Sequence, residues 1–191
     1  MLSSPAEKPL IGVVCGLAWT AAGGEILKIE ATLFPGKGNL VLTGSLGEVM
    51  KESARIALTL VGAMHKELGF DPEILKNNDI HIHVPAGATP KDGPSAGMAI
   101  AIALASLLSS RKIREKIAMT GEISLRGRVL PVGGLKEKVL AAIRGGVQEV
   151  FLPLEAKGEI EADIDSGSLK KIKLTYVSHL RETIEKTIAR I

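Results

Sequence analysis

Ser95 is the residue whose sequence context most strongly suggests a catalytic role. It follows a ten-residue loop, Pro85–Pro94, and begins an uncharged stretch, Ser95–Leu108, which predicts either a buried helix or two buried strands. A hydroxyl at the start of a helix is most simply an N-cap that accepts a hydrogen bond from a free amide. The same position suits a nucleophile, because free N–H groups there can bind the oxyanion of a tetrahedral intermediate. Gly93, Ala96 and Gly97 are small enough to leave room for an extended substrate backbone.

A nucleophilic serine needs a general base, and histidine is the usual one. The chain has four histidines: His65, His81, His83 and His179. His81 and His83 are two residues apart in a predicted strand, so their side chains share one face. No carboxylates or cysteines accompany them at metal-ligand spacing. The pattern favours structural histidines, with support of the loop before Ser95 as the alternative.

Lysine is the other possible base, provided that its pKa falls well below the ordinary value of about 10.4. Burial and a helix N-terminus both disfavour the charged form. The predicted helix Gly134–Arg144 carries Lys136 and Lys138 on opposite edges of its apolar face. Spacing alone excludes neither lysine. For each, the competing interpretation is a solvated side chain whose stem covers the edge of the core.

The elements that must position these residues change in character along the chain. Strands are predicted at Leu10–Leu17, Glu25–Phe34, Asn39–Thr43, Asp79–Val84, Ile117–Ile123, Val129–Val132, Glu149–Leu152 and Ile172–Val177. Helices are predicted at Gly47–Leu68, Ser95–Leu108, Gly134–Arg144 and Ser178–Ile191, the last with Ser178 as its N-cap. The segment Asp163–Ser168 predicts a polar turn. We expect an α+β fold in one compact domain, with antiparallel strands at the N-terminal side and βαβ-like units behind.

Composition excludes several classes of function. The 191 residues are 46% hydrophobic but only 3% aromatic, so stacking platforms for bases are not expected. The formal charge of +3 is small, and no basic stripe suggests nucleic acid. Cys15 is the only cysteine, which favours a reducing compartment, here the cytoplasm. No apolar run is long enough to predict a membrane span, and no phosphate-binding G-x-x-x-x-G-K-[ST] motif occurs.

Several blocks of this sequence resemble the proteolytic domain of the bacterial Lon proteases, ATP-dependent serine peptidases with a Ser–Lys dyad. The blocks are GLAWT at Gly16–Thr20, LTGSLGEVMKESA at Leu42–Ala54, HIHVPAGATPKDGPSAG at His81–Gly97, DGPSAGMAI at Asp92–Ile100 and TGEISLRGRVLPVGGLKEKVLAA at Thr120–Ala142. They follow one another in the family's order through nearly the whole chain. The resemblance therefore implies the Lon proteolytic-domain fold and activity.

Matched to the family's motifs, Ser95 corresponds to the nucleophile and Lys138 to the dyad lysine. The resemblance thereby decides between Lys136 and Lys138. It also implies that Thr120 positions the lysine, and that the backbone of Ser95 and Ala96 binds the oxyanion. Two further residues of the loop have an expected role near that oxyanion, Asp92 and Gly93, although Asp92 could instead be a simple turn residue. Trp19 is expected in packing or in a substrate-side wall.

One position departs from the family pattern. Ala86 stands where the family string usually has Glu. No member of the dyad changes, so the departure bears only on what that carboxylate does within the loop or toward a neighbouring subunit.

The resemblance also implies a larger assembly. We expect an AAA+ ATPase module of the same full-length chain, a homohexamer and polypeptide substrates, as in protein quality control. This domain would need no metal or other cofactor, because ATP and Mg²⁺ would belong to the ATPase module. No contact with membranes or nucleic acid is expected. Residues 1–8 are expected to be a residual linker before a proteolytic domain at 9–191. The alternatives are a non-catalytic, ring-forming Lon-like domain and an ATP-independent Lon-like peptidase.

Overall fold

The structure is a computed structural model that describes residues 10–190. The predicted linker at residues 1–8 lies outside this range. The strands are β1 Val13–Thr20, β2 Gly23–Pro35, β3 Leu40–Thr43, β4 Asn78–His83, β5 Ile117–Met119, β6 Glu122–Ile123, β7 Val129–Leu130, β8 Glu149–Pro153 and β9 Lys173–Val177. The helices are α1 Glu48–Ala63, α2 His65–Leu68, α3 Ile74–Asn77, α4 Gly97–Ser109, α5 Leu135–Arg144, α6 Lys157–Asp163, α7 Ser166–Leu169 and α8 Leu180–Thr187, with a 3₁₀ turn at Leu154–Ala156.

Seven strands form one mixed sheet in the order β3-β4-β2-β1-β5-β8-β9. Strand β2 runs antiparallel to both of its neighbours, whereas β3 with β4, β1 with β5, β5 with β8 and β8 with β9 pair in parallel. Six strands therefore point one way, and their carboxyl ends meet at one edge of the sheet. Strands β6 and β7 form a separate antiparallel pair. The predicted α+β class is confirmed.

Helices cover both faces of the sheet, because the buried strands are apolar on both sides. Along β8, Phe151 faces the cluster built with α1, α4 and α8, while Val150 and Leu152 face the cluster built with α5 and α6. Helix α4 is the central element of the first cluster, since eleven of its thirteen residues are buried. Aliphatic side chains dominate both clusters, as the low aromatic content predicts.

The structure corrects five of the predicted elements. The single helix predicted at Gly47–Leu68 is interrupted at Met64 and forms α1 and α2. The strand predicted at Ile117–Ile123 is two strands in different sheets, because the chain leaves the main sheet at Thr120. Strand β3 is not antiparallel to its neighbour but lies parallel to β4. Helix α6 was not predicted, and the supposed polar turn at Asp163–Ser168 contains the end of α6 and the start of α7.

The last correction concerns the start of the final helix. The N-cap of α8 is His179 rather than Ser178, and its Nδ1 accepts a hydrogen bond from the Arg181 N–H at 3.1 Å. The Glu182 carboxylate accepts in return from the backbone N–H of His179 at 3.2 Å. This reciprocal arrangement is a capping box. A histidine takes the position because its ring nitrogen offers the acceptor that a hydroxyl would otherwise supply.

Candidate active site

Ser95 lies in the turn that precedes α4, and its side chain does not cap that helix. The N-cap of α4 is Ala96, and no side-chain hydrogen bond caps this helix. The N-cap interpretation of Ser95 is therefore wrong. The residue is half-buried, and within residues 10–190 its Oγ makes no hydrogen bond. The hydroxyl is thus not committed to a structural interaction.

The backbone around Ser95 leaves two N–H groups without an acceptor. The N–H of Gly97 donates to the Pro94 carbonyl at 3.1 Å, and that of Met98 donates to the Gly121 carbonyl at 3.0 Å. The N–H groups of Ser95 and Ala96 donate to no group in the described part of the chain. Free amides at the start of a buried helix are the donors that an oxyanion requires.

Helix α5 carries the two candidate lysines into different environments. The helix begins after Gly134, which has a φ of +66° and so adopts a left-handed conformation that favours glycine. The Lys138 side chain points into the core and is only 3% exposed, whereas Lys136 is exposed. Burial lowers the pKa of Lys138 from 10.5 to about 8. Of the two, Lys138 is the one whose environment suits a general base.

Thr120 and Gly121 connect the two halves of the site. The Lys138 Nζ donates to the Thr120 Oγ1 at 3.2 Å, and Thr120 is completely buried. The next residue, Gly121, donates its N–H to the Ser95 carbonyl at 2.9 Å. Ser95 precedes α4 and Lys138 lies in α5, and these two helices cover opposite faces of the sheet. Both residues are therefore hydrogen-bonded to consecutive residues just beyond the carboxyl end of β5. No hydrogen bond joins the Ser95 Oγ directly to the Lys138 Nζ.

A cleft of about 80 Å³ opens beside Ser95 at the carboxyl edge of the sheet. Ala18, Leu27 and Met50 contribute apolar surface, and residues 89–93 of the loop before Ser95 also line the cleft. Trp19 lies at the rim with 62% of its surface exposed, in keeping with a substrate-side wall. Its Cβ and ring lie over Gly134, where even a methyl group would come within 2.7 Å of them.

Asp92 holds the loop against the start of α1. Its Oδ1 accepts hydrogen bonds from the backbone N–H groups of Met50 at 2.9 Å and Gly93 at 2.8 Å. These donors hold the pKa of Asp92 below its ordinary value. The carboxylate thereby caps a helix whose own N-cap, Gly47, has no side chain, and a Cβ on Gly47 would lie 2.2 Å from the Asp92 carboxyl carbon. Gly93 itself has a φ of +109°.

The paired histidines share one hydroxyl group. The Thr43 Oγ1 lies 2.8 Å from the His81 Nε2 and 2.7 Å from the His83 Nδ1. No group of three or more potential metal-ligating side chains occurs within residues 10–190. This geometry agrees with the structural interpretation of the two histidines. In the same range, no helix is both long and apolar enough to cross a membrane.

Sequence reasoning missed two contacts that build the site. One is the capping of α1 by Asp92 from 42 residues away. A signal for it existed, since a glycine at the N-cap has no side chain of its own to accept from the free N–H groups of the first turn. The other is the hydrogen bond from Gly121 to Ser95, which links two backbone groups and leaves no signal in residue type.

Comparison with known proteins gives a consistent result. A profile of the family described as "Lon protease (S16) C-terminal proteolytic domain" matches residues 3–190. Three of the matching proteins are named Lon protease. The protein from Syntrophomonas wolfei is 56% identical over 95% of this chain, and the one from Aquifex aeolicus is 54% identical over 96%. The protein from Phenylobacterium zucineum is 57% identical over 91% of this chain. The chain spans only 22%, 23% and 22% of the length of these relatives. It belongs to the family of Lon protease C-terminal proteolytic domains.

Proposed function

We propose that this chain is a serine endopeptidase domain in which Ser95 is the nucleophile and Lys138 the general base. The observation that carries the proposal is the environment of Lys138. Its amine is buried, has a pKa of about 8, and is tied through Thr120 to the segment that also holds Ser95. A neutral amine near a hydroxyl that has no other partner is what a Ser–Lys dyad requires.

The chemistry is acyl transfer in two stages. The neutral Lys138 amine takes the proton of Ser95 while the Oγ attacks a peptide carbonyl carbon, giving a tetrahedral oxyanion. The resulting ammonium then gives that proton to the leaving amine as the C–N bond breaks, which leaves an acyl-enzyme and a neutral lysine. A water molecule repeats the sequence, with Lys138 accepting its proton and Ser95 recovering its own.

The surrounding groups support separate parts of this reaction. The unpaired N–H groups of Ser95 and Ala96 are the candidates for binding the oxyanion. Thr120 would orient the lysine, and the proposed reaction requires the Lys138 Nζ to move from Thr120 to the Ser95 Oγ when substrate binds. The missing contact between Ser95 and Lys138 does not argue against the dyad, because catalytic hydrogen bonds are often long without substrate.

The test is turnover of a fluorogenic unfolded peptide by the isolated domain without ATP. We expect the Ser95→Ala and Lys138→Met variants each to lose at least about 1,000-fold in kcat/KM. The matched control is Lys136→Met, which removes an exposed lysine of the same helix and should retain at least about half of the activity. Equal rates in all four proteins would overturn the dyad. A larger loss at Lys136 than at Lys138 would reverse the choice of base.

The proposal extends to a full-length protein of the size of the Lon protease relatives. Lon protease relatives more than four times the length of this chain support an additional module in the full-length chain. We infer an AAA+ ATPase that binds ATP and Mg²⁺, a homohexameric ring and unfolded or damaged polypeptides as substrates. A location in the cytoplasm is part of the same proposal, supported by the single cysteine. The isolated domain should then cleave unfolded peptides weakly and leave folded proteins intact, which gel electrophoresis of a stable substrate protein can check.

A further inference from the structure

The ammonium group of Lys91 is held by three backbone carbonyl oxygens. Its Nζ donates to Gly44 at 2.6 Å, to Ala86 at 2.7 Å and to Thr89 at 2.7 Å. A lysine ammonium has three N–H donors and no acceptor, so this set of partners uses all of them. No carboxylate of the described residues lies within ion-pair distance of Lys91. The side chain therefore acts as a hydrogen-bonding tie rather than as half of a salt bridge.

These three hydrogen bonds stabilise the solvent-exposed loop that precedes Lys91. Residues 86–90 are all exposed, and the one backbone hydrogen bond within them runs from the Thr89 N–H to the Ala86 carbonyl at 3.2 Å. Two of the carbonyls that Lys91 binds belong to this loop, and the third, Gly44, belongs to the connection between β3 and α1. The ammonium thus fastens both ends of an otherwise weakly bonded loop to the body of the domain.

The backbone of Lys91 continues the attachment. Its N–H donates to the Ser45 carbonyl at 2.9 Å, and its carbonyl accepts from the Gly47 N–H at 2.7 Å. Asp92 follows with its hydrogen bonds to the start of α1. The chain is therefore fixed immediately before Gly93 and Ser95, where the nucleophile and the free amides of the cleft begin.

We propose that Lys91 is a positioning residue for the nucleophile: its caged ammonium fixes the loop that sets the backbone of Gly93–Ser95. The proposal rests on the assignment of Ser95 as the nucleophile. Lys91 takes no part in proton transfer, because its donors all point to backbone carbonyls. Its loss should therefore lower kcat while the pH midpoint near 8, which belongs to Lys138, stays in place.

The magnitude follows from what misplacement of a reacting group costs. Lys91→Met retains most of the apolar stem but removes three donors and leaves three carbonyls without their partner. A shift of the nucleophile by about 1 Å can lower the rate by about 100-fold. We expect kcat to fall by about 10- to 100-fold, with the rate of Ser95 labelling by a small neutral phosphonofluoridate falling by a similar factor.

Chemical restoration of the ammonium gives the sharpest test. A Lys91→Cys variant is prepared in a Cys15→Ala background, so that position 91 holds the only thiol. Reaction with 2-bromoethylamine forms a C–S bond, releases bromide and produces a side chain of lysine's length that ends in an ammonium. Reaction with 1-bromopropane gives a neutral side chain of equal length. Lys37→Cys, at an exposed position, receives the same treatments as the matched control.

The expected result is recovery of at least half of the background turnover with the ammonium adduct and little recovery with the neutral one. The Lys37 adducts should stay within about twofold of the background. Circular dichroism and the unfolding midpoint establish that each adduct is folded. Equal turnover of the two Lys91 adducts, or full activity of Lys91→Met, would overturn the positioning role even if Ser95→Ala is inactive. Activity in Ser95→Ala would instead refute the dyad, so the two failures are distinguishable.

Discussion

Replacement of Lys138 by methionine should stabilise the folded protein at neutral pH, by an amount that shrinks as the pH rises. The buried amine has its pKa lowered from 10.5 to about 8 by the loss of water around it. Below pH 8 both the folded and unfolded chains carry the charge, and the folded state bears the full cost of burying it. Between pH 8 and 10.5 the unfolded chain still binds a proton that the folded chain has released, so the free energy of unfolding rises with pH in this window.

The magnitude follows from this pKa difference. A difference of about 2.5 in pKa corresponds to about 3 kcal/mol at pH 7, of which about 2 kcal/mol is relieved by pH 9.5. Methionine removes this cost but leaves the buried Thr120 hydroxyl without its partner, which destabilises by about 1 kcal/mol. The Lys138→Met variant should therefore be more stable than the parent by about 2 kcal/mol at pH 7 and about equal to it at pH 9.5.

The assay is urea denaturation followed by circular dichroism at several values of pH between 7 and 9.5. The informative quantity is the difference between variant and parent, because the other titrating groups are common to both proteins and largely cancel. Lys136→Met, which removes an exposed lysine from the same helix, is the matched control for the loss of a lysine side chain. A constant difference for Lys138→Met would refute the claim that burial lowers the pKa of this lysine.

Three further predictions concern the same constellation. The kcat/KM for an uncharged peptide should rise about fivefold from pH 7 to pH 8, with a midpoint near 8, because only the neutral Lys138 can accept a proton; a flat profile would exclude this base. Thr120→Val should lower kcat and move the midpoint below 8, since the hydroxyl accepts a hydrogen bond from the ammonium, whereas Thr120→Ser should retain both properties. Gly24→Ala should lower both the melting temperature and kcat because the new Cβ would lie 2.0 Å from the Glu137 carbonyl oxygen, while Gly133→Ala, with open space around it, should leave the melting temperature unchanged.

Most of the fold could be predicted from the sequence, because most of its helices and strands have a clear hydrophobic pattern within their own residues. The uncharged segment before residue 109 could only be buried, and it forms α4. The period of two gave β2 within two residues of its observed bounds, and the 3.6-residue period gave the start of α1 but not the break at Met64 that separates α1 from α2. The break between β5 and β6 was not predicted, because it depends on which of the two sheets the chain joins after Met119. That choice is made by contacts with distant residues such as Phe151 and Ser95.

The candidate site was predictable in its residues but not in its geometry. Helical spacing placed Lys136 and Lys138 on the two edges of an apolar face, and only the resemblance to the Lon proteases decided between them. The structure gives an independent physical reason for the same choice, because one lysine is buried and the other is exposed. Which edge becomes buried depends on how α5 sits on the sheet, and that tertiary relationship has no signature in the helix itself.

Two glycines allow α5 to pack closely against the sheet and thereby contribute to the lowered pKa of Lys138. A Cβ on Gly24 of β2 would lie 2.0 Å from the Glu137 carbonyl oxygen, which is fixed backbone, and one on Gly145, just after α5, would displace the terminal methyl of Ile26, 2.1 Å away. Their missing side chains let the helix approach the sheet closely enough to exclude water from Lys138. Since burial is the cause that lowers the pKa of this lysine, a looser contact would return the amine toward its ordinary pKa. The close approach at Gly24 and Gly145 therefore helps to lower the pKa of Lys138 to about 8, where half of the amine is neutral.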